Sequence, residues 1–270
     1  MSALLGIIFF ILSCISVPAA LGVEEIEVTA NRPGVAHTAD VTQEGVLEMD
    51  YGWERAFRGH EFKTLSAASG ILRFGLTEDL ELRLDMQNYL SQHSFDHKGR
   101  RSGVGDTSPG FKYRLIEEEG LVPTLSFAYE VKIPTASRRK GLGTGRVDHN
   151  LDFLASKELI GLEWNFDYHL GIVGKEGEKG FDDFHLFALS FFRPLFGPVG
   201  IWGEIYKGLS IKHAPGITST DWALTYQLTP RVVFDVGVDV GLNAAARDIT
   251  YFTGLSIALV DLYRLFGLKN

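Results

Sequence analysis

From about Gly45 to Val260 the chain alternates: in roughly a dozen short runs, every second residue is apolar. Leu80, Leu82, Leu84 and Met86 alternate with Glu81, Arg83, Asp85 and Gln87. Leu125, Phe127, Tyr129, Val131 and Ile133 alternate with Ser126, Ala128, Glu130 and Lys132. A period of two places successive side chains on opposite faces of a strand, so each run has one apolar and one polar face. A water-soluble sandwich, the competing all-β reading, would turn the apolar faces inward. An apolar leader and connections that alternate between short and long favour the inverse. That is a closed antiparallel transmembrane β-barrel of about 12 strands, apolar towards lipid and charged towards a lumen.

The chain divides on this reading into residues 1–22 as a signal peptide, 23–44 as a periplasmic N-terminal tail, 45–260 as the outer-membrane β-barrel and 261–270 as a C-terminal tail. The leader has an apolar core from Leu4 to Leu12 and small residues Ala20 and Gly22 before a cleavage point. Cys14, the sole cysteine, lies inside it, so cleavage removes disulfide and thiolate chemistry from the rest. Residues 23–44 are polar without sustained periodicity and read as an extended linker. No internal stretch reaches the roughly 18–20 continuous apolar residues of a membrane helix. The net charge of −8, with no basic helix or zinc spacing, argues against nucleic-acid binding.

Connection lengths support the barrel independently. Thr77–Asp79, Glu117–Gly120, Ile160–Gly161, Phe196–Pro198 and Thr229–Arg231 are short, whereas Ser91–Pro109, Pro134–Asp148, Gly174–Asp183, Ser210–Ser219 and Asn243–Asp248 are longer. Short periplasmic turns and longer external loops are the expected asymmetry. The eighth run, Phe184 to Phe192, is apolar on both faces and gives no orientation.

A charge on the lipid face costs roughly 2–4 kcal/mol near the midplane, so the charged set belongs inside. This assigns Glu81, Arg83, Asp85, Lys112, Arg114, Glu130, Lys132, Asp167, His169, Asp235 and Asp239 to the lumen, with Glu48, Asp50 and Glu54 beside them. Opposite charges on the third, fourth and fifth runs can form a salt-bridge ladder that stiffens a narrow lumen, or a charged constriction that sorts solutes. Lys98, Arg100, Arg101, Arg138, Arg139, Lys140 and Arg146 form a basic set in two external loops, suited to lipopolysaccharide phosphates or to an anionic solute. The run Gly141–Gly145 lacks the Gly-Lys-Ser/Thr ending of a nucleotide loop. No Gly-x-Ser-x-Gly elbow accompanies the eight histidines, and His93 and His97 have no evident third metal ligand. The expectation is therefore no enzyme, no catalytic residue, no metal and no cofactor.

A stretch of specific motifs runs through the middle of the chain. Gly105-Asp106-Thr107-Ser108-Pro109-Gly110-Phe111-Lys112-Tyr113-Arg114-Leu115 is followed by Pro123-Thr124-Leu125-Ser126 and Lys132-Ile133-Pro134-Thr135. Then come Gly141-Leu142-Gly143-Thr144-Gly145-Arg146-Val147-Asp148 and, later, Asp235-Val236-Gly237 and Tyr251-Phe252-Thr253-Gly254-Leu255-Ser256. This pattern resembles the outer-membrane transporter-like β-barrel family labelled putative MetA-pathway of phenol degradation. The resemblance implies a porin-like barrel of about twelve strands in a Gram-negative outer membrane. It also implies passive uptake of small organic solutes, aromatic or hydrophobic compounds among them. Partners would be outer-membrane lipid, lipopolysaccharide, the solute and the barrel-assembly machinery. The chain departs from the usual barrel ending on an aromatic residue, closing instead on Gly267-Leu268-Lys269-Asn270. A structural or lipid-interacting barrel with a plugged lumen is the alternative, and an outer-membrane lipid hydrolase a distant third.

Overall fold

In a computed structural model of the protein, the described residues are 26–58, 62–94, 99–175, 179–210 and 215–268. The expected signal peptide with Cys14, and Lys98 of the basic set, lie outside them. The strands are β1 (Val46–Arg58), β2 (Phe62–Gly75), β3 (Leu80–Ser94), β4 (Arg100–Gly103), β5 (Thr107–Ile116), β6 (Thr124–Lys132) and β7 (Asp148–Leu159). They continue as β8 (Leu162–Gly174), β9 (Phe181–Phe196), β10 (Val199–Ser210), β11 (Ile217–Thr229), β12 (Val232–Gly241) and β13 (Ile249–Asp261). Each pairs antiparallel with its neighbours, and β1 pairs with both β2 and β13, so the sheet closes on itself. Closure satisfies the backbone N–H and C=O groups that lipid cannot.

β4 and β5 both pair with β3 and act as one interrupted strand, which gives a closed barrel of 12 strands, as the alternation predicts. At the interruption Gly105 N donates to Gln87 O and Gln87 N to Asp106 O, carrying the ladder across the break. β3 and β4 extend the hairpin into the expected second external loop, so Arg100 and Arg101 stand on a strand. Two-residue turns such as Ile160-Gly161 hold both residues at positive φ, 58° and 68°, the geometry that matches strand twist.

The two faces separate as the sequence implies. Leu82, Phe153, Phe166, Trp222, Leu224, Phe234, Val236 and Tyr251 are exposed on the outside, while Glu48, Asp50, Glu81, Lys112, Asp167 and Asp235 are buried inside. The ambiguous eighth run, β9, turns Leu186 and Ala188 inward opposite His169 and Asp167, and Phe187 and Leu189 outward.

The segment before β1 departs from expectation. The sequence reading makes it a periplasmic tail; its described part, residues 26–44, lies inside the barrel, with Ala36, Ala39 and Thr42 at most 5% exposed. The physical reason is hydrogen bonding. Its backbone groups find partners among lumen side chains rather than in a ladder, which leaves no periodic trace in the sequence. The inward apolar residues of β9 are its packing partners, since Leu186 and Ala188 contact Ala36. After Asp261 a single helical turn, α1 (Leu262–Leu265), is capped by the Asp261 carboxylate, which accepts from Arg264 N at 2.9 Å.

Candidate functional site

The lumen is built from two unlike walls. On β1–β5 the centre is Arg73, fully buried, which the sequence reading did not assign. Its Nη2 lies 2.9 Å from both Glu48 and Asp50, and its Nη1 3.6 Å from Glu81. The short β2–β3 turn fixes the register Arg73↔Arg83 and Gly75↔Glu81, and β3 sets Glu81 against Lys112. That hairpin register was the available signal, because it puts Arg73 on the face already given to Arg83. Arg83 reaches Glu81 at 3.4 Å and Glu130 at 3.3 Å, and Lys112 reaches Glu81 at 3.9 Å. Asp85 is half-buried on the same strand. The expected ladder of Glu81, Arg83, Lys112 and Glu130 is thus a network, with Arg73 at its hub.

Arg114 does not join it. Its guanidinium bonds Asp79 at 2.9 Å and Glu78 O at 3.0 Å, at the short-turn end of the barrel. The reason is position: Arg114 is two residues nearer that end than Lys112 and meets the β2–β3 turn. Lys132 lies towards the opposite end, ion-paired to Asp148 and 3.6 Å from Asp106. His169 Nδ1 is 2.6 Å from Asp152.

The inner segment is fastened to this wall by its carbonyls and N–H groups. Arg73 donates to Thr29 O at 2.5 Å, and Lys112 to Thr38 O at 3.2 Å and to Asp40 O. Ser126 donates to Ala39 O, whereas Thr29 N and Thr42 N donate to Glu48 and Glu81. His37 sits on the segment, outside the membrane-spanning strands. Burial and then the Arg83 guanidinium push its imidazole down from the ordinary 6.5 to about 3.

The facing wall, β10–β12, is acidic. Its inward positions carry Glu204, Asp221, Asp235 and Asp239 and no lysine or arginine. Glu204 accepts from Val35 N at 3.0 Å and Ala36 N at 2.5 Å, and Asp235 takes Arg32 at 2.9 Å. Asp239 accepts from Tyr206 at 2.9 Å. Arg32, Glu204 and Asp221 were not singled out by the sequence reading. Arg32 carried no signal, being isolated in a segment read as linker.

Two cavities of about 410 Å³ each flank the segment. One is bounded by Arg32, Gly34 and Val35 and by Ala245–Arg247 of the long β12–β13 loop. The other runs from Glu27–Pro33 to the short turn at Gly197-Pro198. Residues 26–44 therefore partition the lumen between its long-loop and short-turn ends. In the basic outer set, Arg138–Lys140 form one 3₁₀ turn; Lys140 donates to Ser102 O at 3.1 Å and Arg101 to Lys140 O at 3.4 Å. Arg100 is exposed and Arg146 half-buried. Among the described residues no group of three or more His, Cys, Asp or Glu is arranged to hold a metal ion.

The sequence profile of the family described as "Putative MetA-pathway of phenol degradation" matches residues 30–259, a span that includes most of the inner segment. The fold is similar to the COG4313 outer membrane channel of Pseudomonas putida F1, with a TM-score of 0.63 and 15% identity over 81% of this chain and 97% of that one. It is also similar to the NanC porin, with a TM-score of 0.55 and 10% identity over 78% and 98% of the two chains. No curated protein sequence matches the chain.

Proposed function

Because the chain belongs to the family described as "Putative MetA-pathway of phenol degradation", we propose that it is an outer-membrane channel for small organic solutes, closed at rest by its own residues 26–44. The observation that carries this reading is the partition: cavities on either side of a single segment, held by hydrogen bonds to individual side chains. A lumen meant only to be filled has no need of a removable divider. Passage requires the segment to shift, and the polar contacts along it set how far the equilibrium lies towards closed. Solutes enter passively from the long-loop side, where Arg100, Arg101, Arg139 and Lys140 suit the phosphates of lipopolysaccharide; the barrel-assembly machinery inserts the chain. Aromatic and hydrophobic compounds belong to the solute range that the family description suggests.

A structural barrel with a plugged lumen is the second reading, favoured by the buried network around Arg73. Neither reading assigns a catalytic residue. Planar-bilayer recording of the refolded chain, and of a variant lacking residues 26–44, separates them. The channel reading expects rare, small openings from the first and large, steady conductance from the second. Silence from both, with heat-modifiable folding intact, would establish the structural barrel.

A further inference from the structure

The long-loop cavity holds a charge imbalance that the closed channel does not use. Glu204, Asp221, Asp239 and Thr250 stand side by side on β10, β11, β12 and β13 through the register pairs Glu204↔Asp221, Asp221↔Asp239 and Asp239↔Thr250. Directly opposed side chains lie about 5 Å apart. Asp221 is 4%, Asp239 5% and Thr250 3% exposed. Among the described residues, Asp221 Oδ1, Asp239 Oδ1 and Thr250 Oγ1 have no hydrogen-bond partner, and Asp221, Asp239 and Thr250 all line this cavity. The cations that also line it are engaged elsewhere: Arg247 with Glu54 at 3.1 Å and Arg32 with Asp235 at 2.9 Å. Buried carboxylates without a counter-charge are costly, so a cation entering here is stabilised by what the wall lacks.

We propose that this cavity is a binding site for a small organic cation bearing a primary ammonium group, with the head against Asp221, Asp239 and Thr250. An ammonium carries three N–H donors and no acceptor, matching the three unpartnered oxygens. The rest of the cavity suits an organic body more than a bare ion. It has a volume of about 410 Å³ and includes Phe252, Ile217 and Tyr206 in its walls. Aromatic rings beside the head add cation–π attraction. The inference deepens the channel reading, which explains why a solute would reach the cavity, by naming the class of solute held there.

The test is calorimetric titration of the refolded full chain in detergent at neutral pH with benzylammonium chloride, and in parallel with neutral benzyl alcohol. The expected result is saturable benzylammonium binding at least tenfold tighter than benzyl alcohol. Asp221→Asn and Asp239→Asn, each near-isosteric, should each weaken benzylammonium tenfold or more and leave benzyl alcohol unchanged. Heat-modifiable migration checks folding, and if one variant fails to fold the other decides. Equal affinity for the two probes, or unchanged benzylammonium binding in a folded variant, would overturn the proposal and leave the carboxyls sharing a proton. Calcium chloride displacing benzylammonium at equal concentration would overturn it in favour of an inorganic ion. Because binding is read without conductance, a barrel that binds and stays silent, or conducts and does not bind, tells the two readings apart.

Discussion

The two walls of the lumen use the same alternating strand pattern and reach opposite electrostatic solutions. On β1–β6, Arg73, Arg83 and Lys112 are surrounded by Glu48, Asp50, Glu81 and Glu130, so each cation of this wall is paired with carboxylates of its own strands. On β10–β12 the inward charges are all acidic, and the counter-charge comes from outside the strands, from Arg32 of the inner segment at Asp235. The segment reads this difference. It offers the carbonyls of Thr29, Thr38 and Asp40 to the cations of the first wall, and the N–H groups of Val35 and Ala36 to Glu204 of the second. A backbone has both kinds of group, which is how one polar strand of chain can bridge two walls of unlike charge. The first wall is cross-linked by its own ion pairs, whereas the acidic wall depends on what lies against it.

The largest effect expected from this contrast comes from the hub of the ion-paired wall. Arg73→Met leaves Glu48, Asp50 and Glu81 buried around an apolar side chain and should destabilise the barrel by about 3–5 kcal/mol, the usual cost of removing one partner of a buried pair. A urea-unfolding series followed by heat-modifiable migration measures it. A loss below about 1 kcal/mol would mean that water or relaxation screens the cluster, and the contrast between the walls would collapse. Glu204→Ala strikes the other wall and should be milder. It removes two charge-assisted hydrogen bonds to the segment, each worth roughly 1.5–3 kcal/mol, without touching the strand ladder. Hydrogen exchange at Val35 and Ala36 should speed at least tenfold while global stability stays near that of the unmodified protein. If global stability fell as far as with Arg73→Met, the segment would be part of the folding core and not a divider.

How much of this was legible in the sequence follows from which forces leave a periodic trace. The lipid face was readable because every outward residue of a strand meets the same hydrocarbon, so Leu80–Met86 and Leu125–Ile133 repeat at period two. Glu81, Arg83, Lys112, Asp167 and Asp235 were readable as inward by the same rule. Arg73 was recoverable only by carrying the register across the Thr77–Asp79 turn, since Ile71, Leu72 and Phe74 around it give a continuous apolar run. The eighth run was ambiguous because Leu186 and Ala188 pack on Ala36 of the segment, a contact that alternation cannot encode. The segment itself was read as a periplasmic tail, with no sign that it enters the lumen. Its bonds run from backbone atoms to scattered side chains such as Glu204 and Lys112, some 168 and 74 residues away in sequence, and nothing local marks them.

The smallest effect, and the one that sharpens the contrast most, is on pH. His37 lies on the segment beside the wall that holds Arg73, where Arg83, Lys112 and Arg73 oppose a positive imidazole while Asp152 favours it. With the segment seated, its pKa is about 3; released into solvent it returns to the ordinary 6.5. A group whose pKa is lowered on docking binds fewer protons in the docked state, so its contribution to closure is complete above about 6.5 and is lost progressively as pH falls towards 3. Acidification should therefore favour release, and conductance at pH 5 should exceed that at pH 7.5. His37→Gln has no proton to gain and should flatten the response across this window. A response that persists undiminished in His37→Gln would move the acid sensitivity to the carboxylates of the facing wall, where protonating Glu204 loosens its hold on Val35 and Ala36, and the acidic wall would then be the one that opens first.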